Sequence, residues 1–382
     1  MIERNGMEWP DFLENWRKLG FNTVSSFPRF WNAKSDGPYK EYLDASRKAG
    51  FKVIMNDSAF HEMMRGHKAG SEIFCQIPGE TNKVLCPSYR GPYYEKEMER
   101  VARCVREGKP DYVFYDIECW HHSAAGASKC TRCQEALKKS GKSMNEFLLD
   151  CGSETMRDLD AAVKAGAEQI GIPVPVQGSY NRHGLKPLYG IEDFWRIYPA
   201  YISMAQPSLY VAGRARDVHD SIRGNHKLLK NKQIIPWLTA GTYGEFESYK
   251  LEQMVLETLL NGARGITYYA YGDFTDSPLD FYYHAKALAQ IRPYESLIAD
   301  GEVLEPTGTN KEMLYSCVKK DGEMLLLVGN YFNATEKTVV KLPFAKVTGI
   351  TDLRSGEKVD GSPGFEFEVP KSDIRLFYIT GQ

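Results

Sequence analysis

Two kinds of hydrophobic pattern alternate along the chain before residue 300. Short apolar runs, typical of buried parallel strands, lie at 20–30, 51–57, 111–118, 172–180, 207–213, 233–241 and 263–272. Between them are segments whose apolar residues recur at helical spacing, for example Leu251, Met254, Val255 and Leu259. Strands that alternate with helices indicate βαβ units and a parallel sheet.

A TIM (β/α)8 barrel is the predicted arrangement of these elements. Such a barrel needs eight strands, and the seven apolar runs leave one strand to precede the first helix. Apolar residues at helical spacing mark that helix, namely Trp9, Phe12, Leu13, Trp16 and Leu19. We therefore expect the first strand to be a stub within residues 1–7, or to lie upstream together with any leader. A doubly wound open sheet is the alternative, but polar residues just after the strand ends favour the barrel.

The pattern changes near residue 300. From there, short apolar runs follow one another across Gly, Asp and Asn turns, at 312–332, 364–370 and 374–380 among others. Closely spaced short strands of this kind predict a small antiparallel β-sandwich. The sequence thus predicts two domains, a barrel over residues 1–299 and a sandwich over residues 300–382.

Charge and hydropathy exclude two classes of partner. The formal net charge is -2, whereas a nucleic-acid-binding protein needs a basic face. No apolar run approaches the roughly 20 residues of a membrane-spanning helix. We therefore expect neither nucleic acid nor membrane as a partner. The sequence leaves the oligomeric state open, and it leaves the compartment open between cytoplasmic and periplasmic or secreted.

Carboxylates and aromatic side chains dominate the predicted strand ends, where barrel enzymes have their active sites. Asp116 and Glu118 follow the run YVFY and, being two residues apart, point to the same side of a strand. Paired carboxylates suit glycoside hydrolysis, because one acid protonates the leaving oxygen while the other attacks the anomeric carbon or activates water. The expected substrate-binding residues are Arg29, Trp31, Asn56, Asp57, Trp120, His121, Tyr180, Asn181, Trp237, Tyr243, Tyr269, Tyr271 and Asp273.

The segments YDIECW, CTRC, PWLTAGTYGEF and NGARGITYYAYGDF resemble (β/α)8-barrel glycoside hydrolases with a C-terminal β-sandwich. The resemblance implies a glycosidase that acts on an oligo- or polysaccharide and requires no cofactor for catalysis. In the large retaining clan of these barrels, the acid/base lies on the fourth strand and the nucleophile on the seventh. By position, this implies Glu118 as acid/base and Glu245 as nucleophile. Like charges close together raise one pKa, which keeps a general acid protonated, so we expect the adjacent Asp116 to orient Glu118 or a substrate hydroxyl. Ile117 stands where that clan commonly has Asn.

Other assignments of the same residues remain open. α-Galactosidase-type barrels use an aspartate at the fourth strand as nucleophile, which implies Asp116 in that role with an acid such as Asp217. Chitinase-like barrels use a D-x-E pair, although their longer motif is absent here. A barrel that binds carbohydrate without cleaving it would keep the cleft and lack a second acid. A metal-dependent hydrolase or isomerase would need His and Asp ligands on several strand ends.

The cysteines suggest a structural metal. Seven of the eight fall between Cys75 and Cys151, and Cys130 and Cys133 form a C-x-x-C pair. Four thiolates are a common ligand set for structural zinc. Certain microbial β-galactosidases of this barrel type carry a cysteine-bound zinc in a comparable insertion. The predicted ligands are the C-x-x-C pair and the cysteines that flank it, Cys119 and Cys151.

Overall fold

The computed structural model describes residues 11–28, 36–116, 118–182, 184, 191, 193–211, 214–229, 232–239, 247–269, 278–360 and 364–382. The strands of its N-terminal part are β1 (Thr23–Ser26), β2 (Lys52–Asp57), β3 (Tyr112–Tyr115), β4 (Val176–Arg182), β5 (Met204–Ser208), β6 (Gln233–Ile234), β7 (Trp237–Leu238) and β8 (Thr267–Tyr268).

Helices connect these strands. They are α1 (Phe12–Lys18), α2 (Asp36–Lys48), α3 (Ala59–Met64), α4 (Pro92–Gly108), α5 (Ser123–Ala127), α6 (Thr131–Ser140), α7 (Met144–Gln169), α8 (Phe194–Ile197), α9 (Ala215–Leu228) and α10 (Tyr249–Leu260). Two further helices follow β8, at Pro278–Ile291 and Glu295–Asp300. No helix among the described residues combines the length and the apolar character needed to cross a bilayer.

The N-terminal strands form one parallel sheet in chain order, β1-β2-β3-β4-β5-β7-β8, with β6 beside β5. Phe114 on β3 and Trp237 on β7 make an edge-to-face ring contact with centroids 5.1 Å apart. In a flat sheet, the three strand spacings between them would span about 14 Å. The sheet must therefore curl until β3 and β7 face each other across its inner side. Sequential order and curling are those of the predicted barrel and differ from a doubly wound open sheet.

The C-terminal part is antiparallel, as predicted. Its strands are β9 (Glu302–Leu304), β10 (Leu314–Lys320), β11 (Glu323–Asn330), β12 (Glu336–Lys341), β13 (Val347–Asp352), β14 (Lys358–Val359), β15 (Gly364–Val369) and β16 (Asp373–Gly381). One sheet has the order β14-β13-β16-β11-β10-β9, and β12 pairs with β15 in a second sheet. The predicted fold class, a TIM barrel followed by a β-sandwich, is confirmed.

Strand β11 of the C-terminal part packs against the helices of the N-terminal barrel and so joins the two parts. Leu325 and Leu327 belong to the core that includes Leu251 and Met254 of α10. Leu326, between them, belongs to the core that the second small sheet covers. Because both faces of β11 are buried, its sequence is continuously apolar where a half-exposed strand would alternate. One hydrophobic core thus runs from the barrel helices into the C-terminal sheet. The division into domains at 299 and 300 stays a prediction.

Some predicted element bounds are wrong. The fifth strand was expected at 207–213, but β5 spans Met204–Ser208 and is followed by a 3-10 turn at Leu209–Val211. Met204 pairs with Gly178 of β4, so the strand begins before Pro207. The strand-helix order is otherwise as predicted within the described ranges.

Candidate active site

Alternate residues of the barrel strands point into two different cores. Inside the barrel, Ile54, Phe114, Met204 and Trp237 pack together. Between the sheet and the helices lie their chain neighbours Met55, Val113, Tyr115 and Ala205. Because successive side chains on a strand alternate faces, Asn56, Asp116 and Tyr180 share the inner face, whereas Asp57 and Asn181 share the outer one.

Asp116 and Glu118 lie at the carboxyl end of β3, at the mouth of the barrel. The ladder continues one residue past the strand, since Asp116 N–H donates to the Asp57 carbonyl at 3.2 Å. The chain then turns, and Glu118 begins a 3-10 turn that ends at Trp120. The Glu118 N–H donates to Asp116 Oδ1 at 3.1 Å. Asp116 thereby fixes the start of the turn that carries Glu118.

Both acids are accessible at this mouth. The Asp116 side chain is 27% exposed, and the basic group against it is His61, whose Nδ1 lies 3.9 Å from Asp116 Oδ2. Glu118 is partly exposed, and its carboxylate makes no ion pair with any described residue. His121, also predicted, is exposed just beyond the turn. Among the described residues, both acids thus keep an exposed part of their side chains at the mouth.

Tyrosines line the mouth next to these acids. Burial raises the pKa of Tyr180, and the nearby Glu118 carboxylate raises it further, while hydrogen bonds from Ser208 and Tyr210 oppose the shift. The Tyr210 and Tyr269 rings lie 4.8 Å apart, and all three tyrosines are partly exposed. The predicted residues Asn56, Tyr180 and Tyr269 thus belong to the same mouth as the acids.

The structure corrects the prediction that Asp57 and Asn181 bind substrate, and the reason is the same for both residues. Asp57 is 1% exposed and accepts a hydrogen bond from Arg100 of α4 at 2.8 Å. Asn181 is 3% exposed and donates to Asn225 of α9 at 3.0 Å. Each lies one residue from an inner-face position, so each points outward to the helices. Neither side chain reaches the mouth.

The prediction that Trp120 and Trp237 bind substrate is also corrected. Trp120 is 2% exposed and packs on Phe60 of α3 with ring centroids 5.0 Å apart. Trp237 is 3% exposed and packs on Phe114 inside the barrel. Aromatic rings buried this fully cannot stack on a sugar, so both tryptophans have packing roles. Trp237 forms part of the floor under the mouth.

The floor contains polar atoms without partners. Gln206, on the inner face of β5, is completely buried, and neither atom of its side-chain amide has a hydrogen-bond partner. The indole N–H of Trp237 is likewise unpaired. Buried polar groups without a protein partner commonly bind ordered water or a ligand.

Several expected site residues fall outside the described residues, namely Arg29, Trp31, Tyr243, Glu245, Tyr271 and Asp273. Their assignments stay predictions. Asp217, the alternative acid, lies in the first turn of α9, where both its oxygens accept from Arg214 at 2.7 and 2.8 Å. Sequence reasoning missed His61 and Tyr210 as site residues. The misplaced fifth strand hid Tyr210, whereas the signal for His61 was its position in α3, the helix that follows the end of β2.

The cysteines group differently from the prediction. The Sγ atoms of Cys75, Cys86 and Cys130 all lie within 4.8 Å of one another, and Cys133 Sγ lies 3.5 Å from Cys86 Sγ. Cys119 and Cys151 are not in this group. Hydrogen bonds from Cys133 and Cys75 hold the pKa of Cys86 below its usual range. Cys151, buried elsewhere, has its pKa raised to about 12 by burial.

No model of a known protein family matches the chain, and no curated protein matches it by sequence. Solved structures do match. An α-amylase from Anoxybacillus superposes with a TM-score of 0.62 at 10% identity, over 97% of this chain and 89% of that one. A maltogenic α-amylase from Thermotoga neapolitana superposes with a TM-score of 0.58 at 11% identity, over 97% and 93%.

An endoxylanase from Clostridium papyrosolvens also matches, with a TM-score of 0.53 at 9% identity over 97% of this chain and 92% of that one. At such identities the likeness concerns the fold. The chain therefore has the fold of the barrel glycoside hydrolases that carry a C-terminal β-sheet domain.

Proposed function

We propose that the protein is a glycoside hydrolase that cleaves an oligo- or polysaccharide by carboxylate acid/base catalysis. The observation that supports this most is the acid pair Asp116 and Glu118, accessible at the barrel mouth beside Tyr180. Structures of the same fold have been solved with acarbose, maltotriose and maltose, which supports a carbohydrate as the substrate.

In this proposal Glu118 is the general acid and later the general base. It protonates the bridging oxygen as the glycosidic bond breaks, and then takes a proton from the attacking water. Asp116 positions Glu118 through the hydrogen bond to its backbone N–H. The tyrosines offer flat apolar faces against which a sugar ring stacks. No cofactor takes part in these steps.

Glu245 is proposed as the nucleophile of a retaining mechanism. A carboxyl separation of about 5–5.5 Å from Glu118 would accompany retention, and one of about 6.5–9.5 Å would accompany inversion. The anomeric form of the first product, followed by NMR during turnover, separates the two mechanisms. Loss of the covalent intermediate in the Glu245→Ala variant identifies the nucleophile.

The first experiment is a screen of the wild type with aryl glycosides and with α- and β-linked polysaccharides. On an unactivated substrate found in this way, Glu118→Gln should lose activity by a factor of about 10²–10⁴, with an unchanged melting temperature. The matched control is Glu135→Gln, an exposed glutamate of α6, which should be fully active. Carbohydrate binding without any product would instead support a binding protein, and an active Glu118→Gln variant would remove Glu118 from the mechanism.

A further inference from the structure

Four cysteines from two separate chain segments form one buried group, which we call the cysteine cluster: Cys75, Cys86, Cys130 and Cys133. All four are at most 2% exposed. The first pair belongs to the connection between α3 and α4, and the second pair lies at the start of α6. All eight cysteines of the chain are free thiols in this structure.

The spacing of the sulfur atoms fits a tetrahedral metal ion. Zinc–sulfur bonds of about 2.3 Å place the sulfurs of a tetrahedral Cys₄ site about 3.8 Å apart. Cys86 Sγ lies 3.9 Å from Cys130 Sγ and 3.5 Å from Cys133 Sγ. Cys75 Sγ lies within 4.8 Å of both Cys86 and Cys130. These three sulfurs form the mutually close set, and Cys133 joins it through its contact with Cys86.

The surrounding backbone holds the two segments in place. An isolated antiparallel bridge pairs Phe74 with Leu85, which brings Cys75 and Cys86 together although ten residues separate them in sequence. The second segment is tied to the first by the Thr131 N–H, which donates to the Gln76 carbonyl at 2.9 Å. The backbone thus holds three of the four sulfurs within 4.8 Å of one another before any ion binds.

Donors around the sulfurs suit thiolate ligands. The Gln76 N–H donates to Cys130 Sγ at 3.2 Å, and the Ser88 hydroxyl lies 3.2 Å from Cys133 Sγ. Such outer contacts orient metal ligands and stabilise their charge. Cys130 is also the N-cap of α6, where the helix dipole favours negative charge.

We propose that the cysteine cluster binds a structural zinc ion. Binding converts the thiols to thiolates and releases their protons to solvent. Sulfur-only tetrahedral coordination selects zinc over the oxygen-seeking cations Mg²⁺ and Ca²⁺, and four protein ligands leave no open position for catalysis.

The ion would brace the loop that carries Glu118. Ser123, close after that loop, donates to the carbonyl of Leu85, the neighbour of Cys86, at 2.9 Å. Trp120, in the loop itself, packs on Phe60 of α3. The zinc would therefore join the β2–β3 connection to the segment that follows β3. This inference does not depend on the hydrolase function.

The test is the metal content of the full-length protein, purified under reducing conditions in the presence of Zn²⁺. We expect about one zinc per chain, lost in Cys86→Ser and Cys133→Ser but kept in the controls Cys151→Ser and Cys317→Ser. Because the first two variants are at risk of not folding, wild-type protein loaded with Co²⁺ provides a second measurement. It should show the intense visible bands and thiolate charge-transfer bands of tetrahedral cobalt.

Chelation of the zinc should lower the melting temperature of the wild type and expose four additional reactive thiols. The proposal is overturned if the wild type holds no zinc, or if cobalt binds with an octahedral spectrum. It is also overturned if Cys86 and Cys133 are found as a disulfide, with two thiols missing and no metal, or if Cys86→Ser retains the ion.

Discussion

Tyr180 and Asn181 are neighbours on β4 with opposite surroundings. Tyr180 belongs to the cluster inside the barrel, next to Glu118, whereas Asn181 is hydrogen-bonded to Asn225 behind the sheet. The same division separates Asn56 from Asp57. At the scale of single residues, the direction of a strand side chain decides between a role in the site and a role in packing.

Single substitutions of Tyr180 and Asn181 test whether the first side chain acts in the site and the second in packing. Tyr180→Phe should lower kcat/KM about tenfold, since it removes a hydroxyl beside the acids. It should also cost about 0.5–1.5 kcal/mol, because Ser208 and Tyr210 lose a hydrogen-bond partner. Asn181→Ala should leave kcat/KM unchanged and cost about 1–3 kcal/mol, because Asn225 loses a buried partner. Urea unfolding and steady-state kinetics give both numbers. The opposite assignment of effects would contradict the orientation described here.

The sequence predicted which strand ends carry polar residues, yet it gave no means of telling the inner from the outer face. β3 is apolar on both faces, so its hydrophobic pattern lacks the alternation that would mark a direction. Only the partner across the helix layer, such as Arg100 for Asp57, shows that a strand-end acid points outward. Arg100 is 43 residues away along the chain, and no local pattern reveals that contact.

At the scale of elements, the start of α7 carries a local sequence signal that the start of β5 lacks. Ser143 and Glu146 form a capping box at the start of α7, and the S-x-x-E signature for it is present in the sequence. The start of β5 had no such signal, because Pro207 reads as the beginning of a strand while the ladder in fact begins at Met204. The Cys75–Cys86 pairing depends on an isolated bridge in a long connection, which no periodic pattern predicts.

His284 joins three elements and makes the fold sensitive to acid. Its Nδ1 accepts from the Tyr268 hydroxyl of β8 at 2.8 Å, and its Nε2–H donates to the Leu19 carbonyl after α1 at 2.9 Å. Both bonds suit one neutral tautomer. Burial lowers the pKa of His284 to about 4, so the unfolded chain binds a proton at a higher pH than the folded one does.

The unfolding free energy should therefore fall as the pH drops from about 6.5 to about 4, by about 3 kcal/mol for this group. His284→Gln, which cannot titrate, should lack that part of the decrease. Urea unfolding at pH 7 and near pH 4 measures it, with the exposed His122→Gln as control. Parallel pH profiles for His284→Gln and the wild type would show that folding does not change the pKa of His284.

At the scale of the whole molecule, a buried carboxylate links the barrel to the C-terminal sheet. Glu257 of α10 is completely buried and accepts from Tyr331 at 2.6 Å, Ser316 at 2.5 Å and Asn261 at 3.0 Å. The burial of Tyr331 and the nearby Glu257 carboxylate raise the pKa of Tyr331 well above its usual value. The tyrosine hydroxyl therefore stays a donor across the junction.

Glu257→Gln should cost about 1.5–3 kcal/mol, because an amide N–H₂ would face donors where a carboxylate oxygen accepted before. The exposed Glu366→Gln, on β15, should cost less than about 0.5 kcal/mol. Both variants and the wild type should unfold in one cooperative transition, since one core spans the junction. Two separate calorimetric transitions would show that the barrel and the sandwich are independent domains.

The central claim, that Glu118 donates a proton to a departing sugar oxygen, is tested most directly by varying the leaving group. On a natural or other unactivated glycoside, Glu118→Gln should lose about 10²–10⁴ in kcat/KM, because the poor leaving group needs the proton. On the dinitrophenyl glycoside of the same sugar, which leaves without protonation, the bond-breaking step should be nearly unaffected. Equal losses on both substrates, or no loss on either, would contradict the account.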